Sequence, residues 1–326
     1  MIGYIKILIQ RNKLYTIIRL AVYSFAAQID RPQTTRGICM GWWKKITVAF
    51  GMLLLLLGES MRECQMFRMT HYFLKVPVKR GQDQEIKIIF LSDLHNKIYG
   101  KKNECLLESI RKEKPDLILI GGDMLIGKKG VSPDAALELI RQLPRIAPVY
   151  YALGNHEQRM KLKTEKYGNV MSYYKRKLME AGVHFLENDS AEVSLYGMEL
   201  RLTGLELPMR SYEKFKRASV TSAQVKRLVG PADGVRYQIL LAHNPVYVPA
   251  YKKWGADLVL CGHLHGGVVR IPGWRGVITP RATLFPRYSG ELTMEGRTTV
   301  VVSKGLGTHT VNFRLFNPSE VVVLHL

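Results

Sequence analysis

An α/β fold with a polar site along one edge of its sheet is what this sequence predicts, and three observations predict it. Short, nearly continuous apolar runs such as Ile86–Leu91 and Asp116–Ile120 read as buried strands. They alternate with segments of helical periodicity. Several of the runs then stop on Gly, Ser, Asp, Asn or His, which puts polar side chains at the carboxyl ends of strands, where open α/β sheets bind ligands.

Taken in order, Ile86–Leu91 is followed by Ser92-Asp93-Leu94-His95-Asn96. Asp93 and His95 are two apart and project to the same side of an extended backbone. Asn103–Lys114 is a helix closed by Pro115. Asp116–Ile120 ends in Gly121-Gly122-Asp123, a helix follows near Pro133–Leu143, and Ala147–Leu153 ends in Gly154-Asn155-His156-Glu157. Residues 158–181 are basic and helical; Tyr167, Met171, Tyr174 and Leu178 make a stripe that faces the core. Val183–Leu186 and Val193–Gly204 read as strands joined by a turn near Asn188-Asp189, and Thr221–Leu228 as a helix. Arg236–Leu241 ends in Ala242-His243-Asn244-Pro245, and Ala256–Leu260 in Cys261-Gly262-His263-Leu264-His265. Late strands fall at Val268–Ile271, Thr298–Ser303 and Glu320–Leu326.

A lone D-x-H is an ordinary loop with a capping Asp. Five strand ends that carry ligand-type residues are a different matter: Asp93/His95, Asp123, Asn155/His156, His243 and His263/His265. In order and spacing, Asp93-Leu94-His95, Gly122-Asp123, Gly154-Asn155-His156-Glu157, His243 and Gly262-His263-Leu264-His265 resemble the calcineurin-like metallophosphoesterase superfamily over residues 85–326. GHLHGGVVRIPG and SKGLGTHTVNFRLFNPSEVVVL resemble its small bacterial, membrane-anchored branch. The resemblance implies a two-sheet β-sandwich flanked by helices, with two divalent metals between the sheet edges, Mn²⁺ or Zn²⁺ before Fe or Co. It implies that Asp93, His95 and His265 hold one metal, that Asn155, His243 and His263 hold the other, and that Asp123 bridges them. Such a pair clamps a phosphoryl group and activates a bridging hydroxide for attack on a phosphodiester or pyrophosphate bond. It implies that His156 stands near the phosphate, as proton donor to the leaving oxygen or as a transition-state stabiliser. One position departs from the family pattern. Members often carry an acid three residues after the bridging Asp, to support the catalytic imidazole; here that residue is Ile126, and Glu157 is the candidate substitute.

The 326 residues carry a net charge of +21, unevenly spread. Residues 1–80 hold 13 Lys/Arg against 3 Asp/Glu, the remaining 246 hold 35 against 24. A basic front end around apolar segments points to a membrane before nucleic acid. From Met40, a candidate start, Lys44-Lys45 precede thirteen uncharged residues, Ile46–Gly58, as in an uncleaved signal anchor. Residues 40–60 are therefore expected to be a transmembrane segment at the cell membrane, helped by Trp42 and Trp43, with the body extracytoplasmic. Residues 1–39 form a basic segment that suits a membrane-surface helix, and 61–84 a linker with a lead-in strand at Tyr72–Val78. The four cysteines form no CxxC pair and no disulfide framework.

The partners expected are a phosphate-ester substrate, lipid-linked or envelope-derived, and the membrane. Residues 206–219 and 272–297 are candidate rim segments, and Arg270, Arg275, Arg281 and Arg287 would be either a second phosphate site or solvated surface arginines. Two other classes compete. A non-catalytic metal-binding envelope protein on the same fold would be expected to lose ligands, and all seven are present. A nuclease would suit the charge, but no aromatic-basic binding module stands out.

Overall fold

Strands of four to eight residues, the central ones buried, assemble here into two six-stranded sheets. The structure is a computed structural model and describes residues 38–76, 84–213, 218–272, 274–279, 283–308 and 312–326. The first sheet takes β1 (Phe67–Phe73), β2 (Lys87–Leu91), β3 (Leu117–Ile120), β4 (Val149–Ala152) and β5 (Val183–Leu186). The second takes β6 (Asp189–Leu195), β7 (Met198–Leu205), β8 (Tyr237–Ala242) and β9 (Leu258–Cys261). A separate ribbon, β10 (Val269–Arg270) and β11 (Gly276–Ile278), precedes β12 (Leu292–Glu295) and β13 (Thr298–Val302), which complete the second sheet. Finally β14 (Ser319–His325) returns to the first sheet, between β1 and β2. The strands β2 to β5 are parallel to one another, and so are β7, β8, β9 and β13.

Alternation along the strands builds the layers. Ile88, Phe90, Leu117 and Leu119 of the first sheet pack with Leu202, Ile239, Leu241 and Leu260 of the second. The intervening Ile89, Leu91, Ile118, Ile120 and Tyr151 pack beneath helices, among them α2 (Glu104–Glu113) and α3 (Asp134–Ile140). After β4 come three short helices, α4 (Asn155–Leu162), α5 (Thr164–Tyr167) and α6 (Val170–Glu180). The outer face of the second sheet is covered by α7 (Ser222–Val229) and α8 (Val248–Trp254). Both faces of each central strand are thus apolar, which is why four residues such as Leu117–Ile120 suffice to mark one.

Three local expectations are corrected and one helix is added. The run Val193–Gly204 is not one strand but two: Tyr196 and Gly197 both have positive φ (48° and 81°), the two-residue turn that twists with an antiparallel hairpin. Residues 158–181 are broken into separate helices at Lys163 and Gly168. The helix α8 was not anticipated. The lead-in strand is Phe67–Phe73, not Tyr72–Val78, whose last residues lie outside those described; it pairs along its whole length with β14, so the folded body begins before residue 85.

Contacts divide the chain into two units, one through Met61 and one from Arg62. The helix α1 (Ile38–Gln65) precedes the first sheet; residues 1–37 lie outside those described. It exposes Phe50, Leu53, Leu54, Leu55 and Leu57. Among the described residues, however, no helix is long and apolar enough to cross a membrane, so the transmembrane span expected at 40–60 is not found. The physical reason is length. Thirteen uncharged residues rise about 20 Å as helix, against a hydrocarbon core of about 30 Å.

Candidate metal centre

The parallel strands of each sheet release their loops at one edge, and all eight sequence-predicted residues meet there. Asp93 and His95 follow β2, Asp123 follows β3, and Asn155 and His156 open α4. His243 follows β8, and His263 and His265 follow β9. Candidate ligand atoms fall into three overlapping groups, each within 4.8 Å: Asp93/His95/His265, His95/Asp123/His156 and Asp123/His243/His263. Asp123 and His95 each belong to two groups. The Asn155 side-chain amide donates to His263 Nδ1 (2.8 Å), and its oxygen accepts the His156 backbone N–H (3.3 Å).

Strained backbone aims these side chains inward. Asp93, His95, Asp123, His263 and His265 all have φ between 48° and 72°, where a non-glycine residue costs about 1–3 kcal/mol and persists only if its surroundings enforce it. Cross-loop bonds do so here. Asp93 N–H donates to Gly122 O (2.9 Å), His95 N–H to Asp123 O (3.1 Å), and His263 N–H to the Asp93 carboxylate (3.1 Å). The last bond joins the two sheets. It requires Gly262, because a Cβ there would collide with Ser92 and Asp93.

The imidazoles come in two kinds, told apart by what their Nδ1 atoms meet. Nδ1 of His95, His243 and His265 each faces a backbone carbonyl, of Leu125 (3.3 Å), Gly121 (2.7 Å) and Gly307 (3.2 Å). A carbonyl only accepts, so each Nδ1 carries the proton and each Nε2 offers a lone pair when the ring is neutral. Those lone pairs converge: His95 Nε2 and His265 Nε2 are 3.2 Å apart, and His243 Nε2 is 3.1 Å from Asp123 Oδ2. Acceptors at such distances repel unless a proton or a cation stands between them. Carbonyl-pinned imidazoles beside carboxylates are how proteins present histidine to a divalent ion, so the donor set fits one.

Burial and mutual charge act accordingly. Burial, then His265, hold His95 well below the usual imidazole range. Burial, then the Arg314 guanidinium, lower His265 to about 3, keeping it neutral. Burial works against a charged His243, but Asp123 and Asp93 overcome it and raise it to about 10. A proton on His243 thus does what a metal cation would do, and the two compete for Nε2. Burial would raise Asp123, yet His243 and His156 hold it well below the carboxylate range.

His156 is of the second kind. Its Nδ1 accepts the Gly127 backbone N–H at 2.7 Å, so the proton of the neutral ring is on Nε2, 3.9 Å from Asp123 Oδ2. Its backbone N–H donates to Asp123 Oδ1 (2.7 Å). Glu157 does not take the place of the missing acid, as the sequence suggested it could. It is fully buried and its carboxylate accepts the backbone N–H groups of Asp123 (2.8 Å), Leu125 (2.9 Å) and Gly154 (3.1 Å). Burial, with the Asp123 charge, raises it to about 7. The Gly127 amide is the support that sequence reasoning missed. So is Gly307, whose carbonyl holds His265 and accepts from the buried Arg314 (2.7 Å); the resemblance of SKGLGTHT had marked that loop without giving it a task.

Of the rim arginines, Arg270 is buried and committed to Gly266 O, Ser289 Oγ, Trp274 O and Glu291, a structural role. Arg287 pairs with Glu295 (2.6 Å), Arg275 stacks over Trp274, and Arg281 lies outside the described residues. At the opposite end of β2 a second histidine–carboxylate group occurs. His71 Nδ1 is 2.9 Å from His325 Nε2, with Glu113 3.6 Å from His71 and Glu85 3.2 Å from His325.

A family model described as calcineurin-like phosphoesterase matches residues 86–267, and the chain belongs to that family. Its relatives include Phosphodiesterase YaeI of Escherichia coli, 28% identical over 74% of this chain and 82% of that protein. An uncharacterized metallophosphoesterase of Aquifex aeolicus is 28% identical over 78% and 92%. YpbG of Bacillus subtilis is 26% identical over 74% and 81%. With the clustered ligands, these relatives support a metal-dependent phosphoesterase.

Proposed function

We propose that the chain hydrolyses a phosphodiester or pyrophosphate bond with two divalent metals, at the cell membrane. The observation that carries this reading is the convergence of the His95, His265 and His243 lone pairs on Asp93 and Asp123. Asp93, His95 and His265 would hold one ion, Asn155, His243 and His263 the other, and Asp123, common to two groups, would lie between. When bound, such a pair supplies Lewis acidity at the phosphoryl oxygens and an ionised water for attack, with Mn²⁺ or Zn²⁺ the expected ions.

The chain's own residues do the rest. Asp123 fixes the His156 backbone, and Gly127 holds the ring with its proton on Nε2. In that state His156 donates a hydrogen bond to a phosphoryl or leaving oxygen, the stabilising role among the two implied by the resemblance. The carboxylate of Glu157 keeps the loops after β3 and β4 in register, so the Asp123–His156 geometry exists before substrate arrives. The diester reading draws on the name of the Escherichia coli relative. Membrane association rests on the exposed leucines of the Ile38–Gln65 helix beside Lys44 and Lys45, which also favour an extracytoplasmic body.

The test is metal removal from the full chain, then add-back of Mn²⁺ or Zn²⁺ against monoester, diester and pyrophosphate substrates. Turnover should vanish and return, with the diester or pyrophosphate preferred. Turnover indifferent to chelator would end the two-metal reading, and full-length protein in the soluble fraction would end the membrane one.

A further inference from the structure

The ribbon β10–β11 springs from the ligand loop itself and ends in an exposed apolar cap. Trp274 is in its turn, and Leu284 and Phe285 lie back along β11 through the Ile278–Leu284 bridge and the Phe285 N–H bond to Val277 O. Ile271, Trp274, Leu284 and Phe285 are 40%, 54%, 63% and 48% exposed, and the Trp274 and Phe285 rings are 5.7 Å apart. Phe285 has φ 44°, a strained conformation for a bulky residue, so an exposed aromatic side chain is held here at a cost.

Arginine outnumbers carboxylate around the cap, where Glu291 pairs with Arg270 and Glu295 with Arg287. Residues 258–290 contain four arginines and no Asp or Glu. Among the described residues, no carboxylate forms an ion pair with Arg275, whose guanidinium lies 5.5 Å from the centre of the Trp274 ring. Exposed Trp and Phe beside unneutralised arginine suit the zone where acyl chains meet anionic headgroups. The ribbon is also rigidly tied to the site: Arg270 donates to Gly266 O (3.0 Å), directly after His265, and Val268 N–H to Ile278 O (2.8 Å).

We infer that Ile271, Trp274, Leu284, Phe285 and Arg275 form a surface that docks on an anionic bilayer and presents the centre to phosphate esters carried by membrane lipids. The docking stands by itself, whereas the lipid substrate class rests on the phosphohydrolase reading above.

The experiment uses the full chain with phosphatidylglycerol-containing vesicles whose acyl chains are brominated. Bromine should quench a part of the tryptophan emission that Trp274→Phe removes; phosphatidylcholine vesicles and high salt should abolish that quenching. In a second arm, Trp274→Ser/Phe285→Ser should hydrolyse a small soluble diester like wild type, while KM for a phosphate ester embedded in the vesicles rises about tenfold or more, within what two lost aromatic contacts allow. An unquenched Trp274 overturns the docking. Wild-type protein that is a dimer while the double variant is a monomer assigns the cap to a second copy and also overturns it. Equal loss on soluble and embedded esters shows a structural role and does the same. If wild type cleaves neither ester yet Trp274 is quenched, the docking holds and the phosphohydrolase reading fails.

Discussion

Two histidine–carboxylate groups flank β2, and only one resembles a metal centre. At its start, His71, His325, Glu85 and Glu113 form an open chain, with His71 Nδ1 facing His325 Nε2 and a glutamate beside each ring, and His71 is 37% exposed on its side chain. Beyond its end, Asp93, His95, Asp123, His243 and His265 are buried, and their nitrogens crowd the same small volume. Composition does not separate the groups. Hydrogen-bond direction does: carbonyls behind the imidazoles push every lone pair forward, and left-handed backbone at Asp93, His95, Asp123 and His265 holds them there. Backbone strain at one end of a strand and relaxed pairing at the other tell which cluster has a task.

The sharpest break in this contrast comes from Asp123→Ala. Asp123 is shared by two groups, so metal affinity should fall by more than the roughly 10–100-fold that losing a mere partner of a ligand costs. Turnover should fall to background, while His71→Ala/His325→Ala keeps metal content and rate; metal analysis of both proteins decides. Next, His156→Gln should retain metal and lose about 10²–10³ in rate, as for a transition-state donor. Metal loss equal to that of Asp123→Ala would make His156 a ligand. Glu157→Gln should lower thermal stability by about 1–3 kcal/mol, because an amide NH₂ then faces backbone N–H groups. An unchanged melting temperature would deny Glu157 its scaffolding role.

The smallest effect concerns the other cluster. Burial is the main cause that lowers His71, with Glu113 opposing and His325 and Lys87 adding. The unfolded chain therefore takes up a proton near pH 6.5 that the folded chain resists. Its contribution is present above about pH 6.5 and is lost as pH falls through the lowered folded value. His71→Gln should flatten the drop in urea midpoint between about pH 7.5 and 5.5. A variant that tracks wild type across that range would show His71 is indifferent to the edge strand.

Much of this was legible because the signals are local. An apolar run that stops on Asp or His, as at Leu91 or Cys261, shows both the strand and the edge it points to. What stayed hidden was written in backbone atoms. Nothing in the side chain of Gly127 or Gly307 announces the amide that turns His156 or the carbonyl that turns His265. The turn at Tyr196-Gly197 was hidden for a related reason: apolar residues flank it on both sides, and only its φ angles divide the run. Nor could a Glu next to His156 reveal that its carboxylate faces the other way, toward Asp123 N–H and Gly154 N–H.

The place of β14 has a consequence for biosynthesis. It is made after all eight site residues, yet it lies between β1 and β2, parallel to one and antiparallel to the other. A nascent chain still lacking it has β1 with no neighbour and β2 with one open edge. A shorter chain, ending before Arg314, also lacks the guanidinium and the Asn317 amide that gather the carbonyls around His265. Contacts that span some 250 residues in sequence form slowly, and an open strand edge meanwhile invites mispairing. Metal loading therefore belongs after β14 has been made, and a chain stopped just short of Ser319 should emerge with every ligand and no centre.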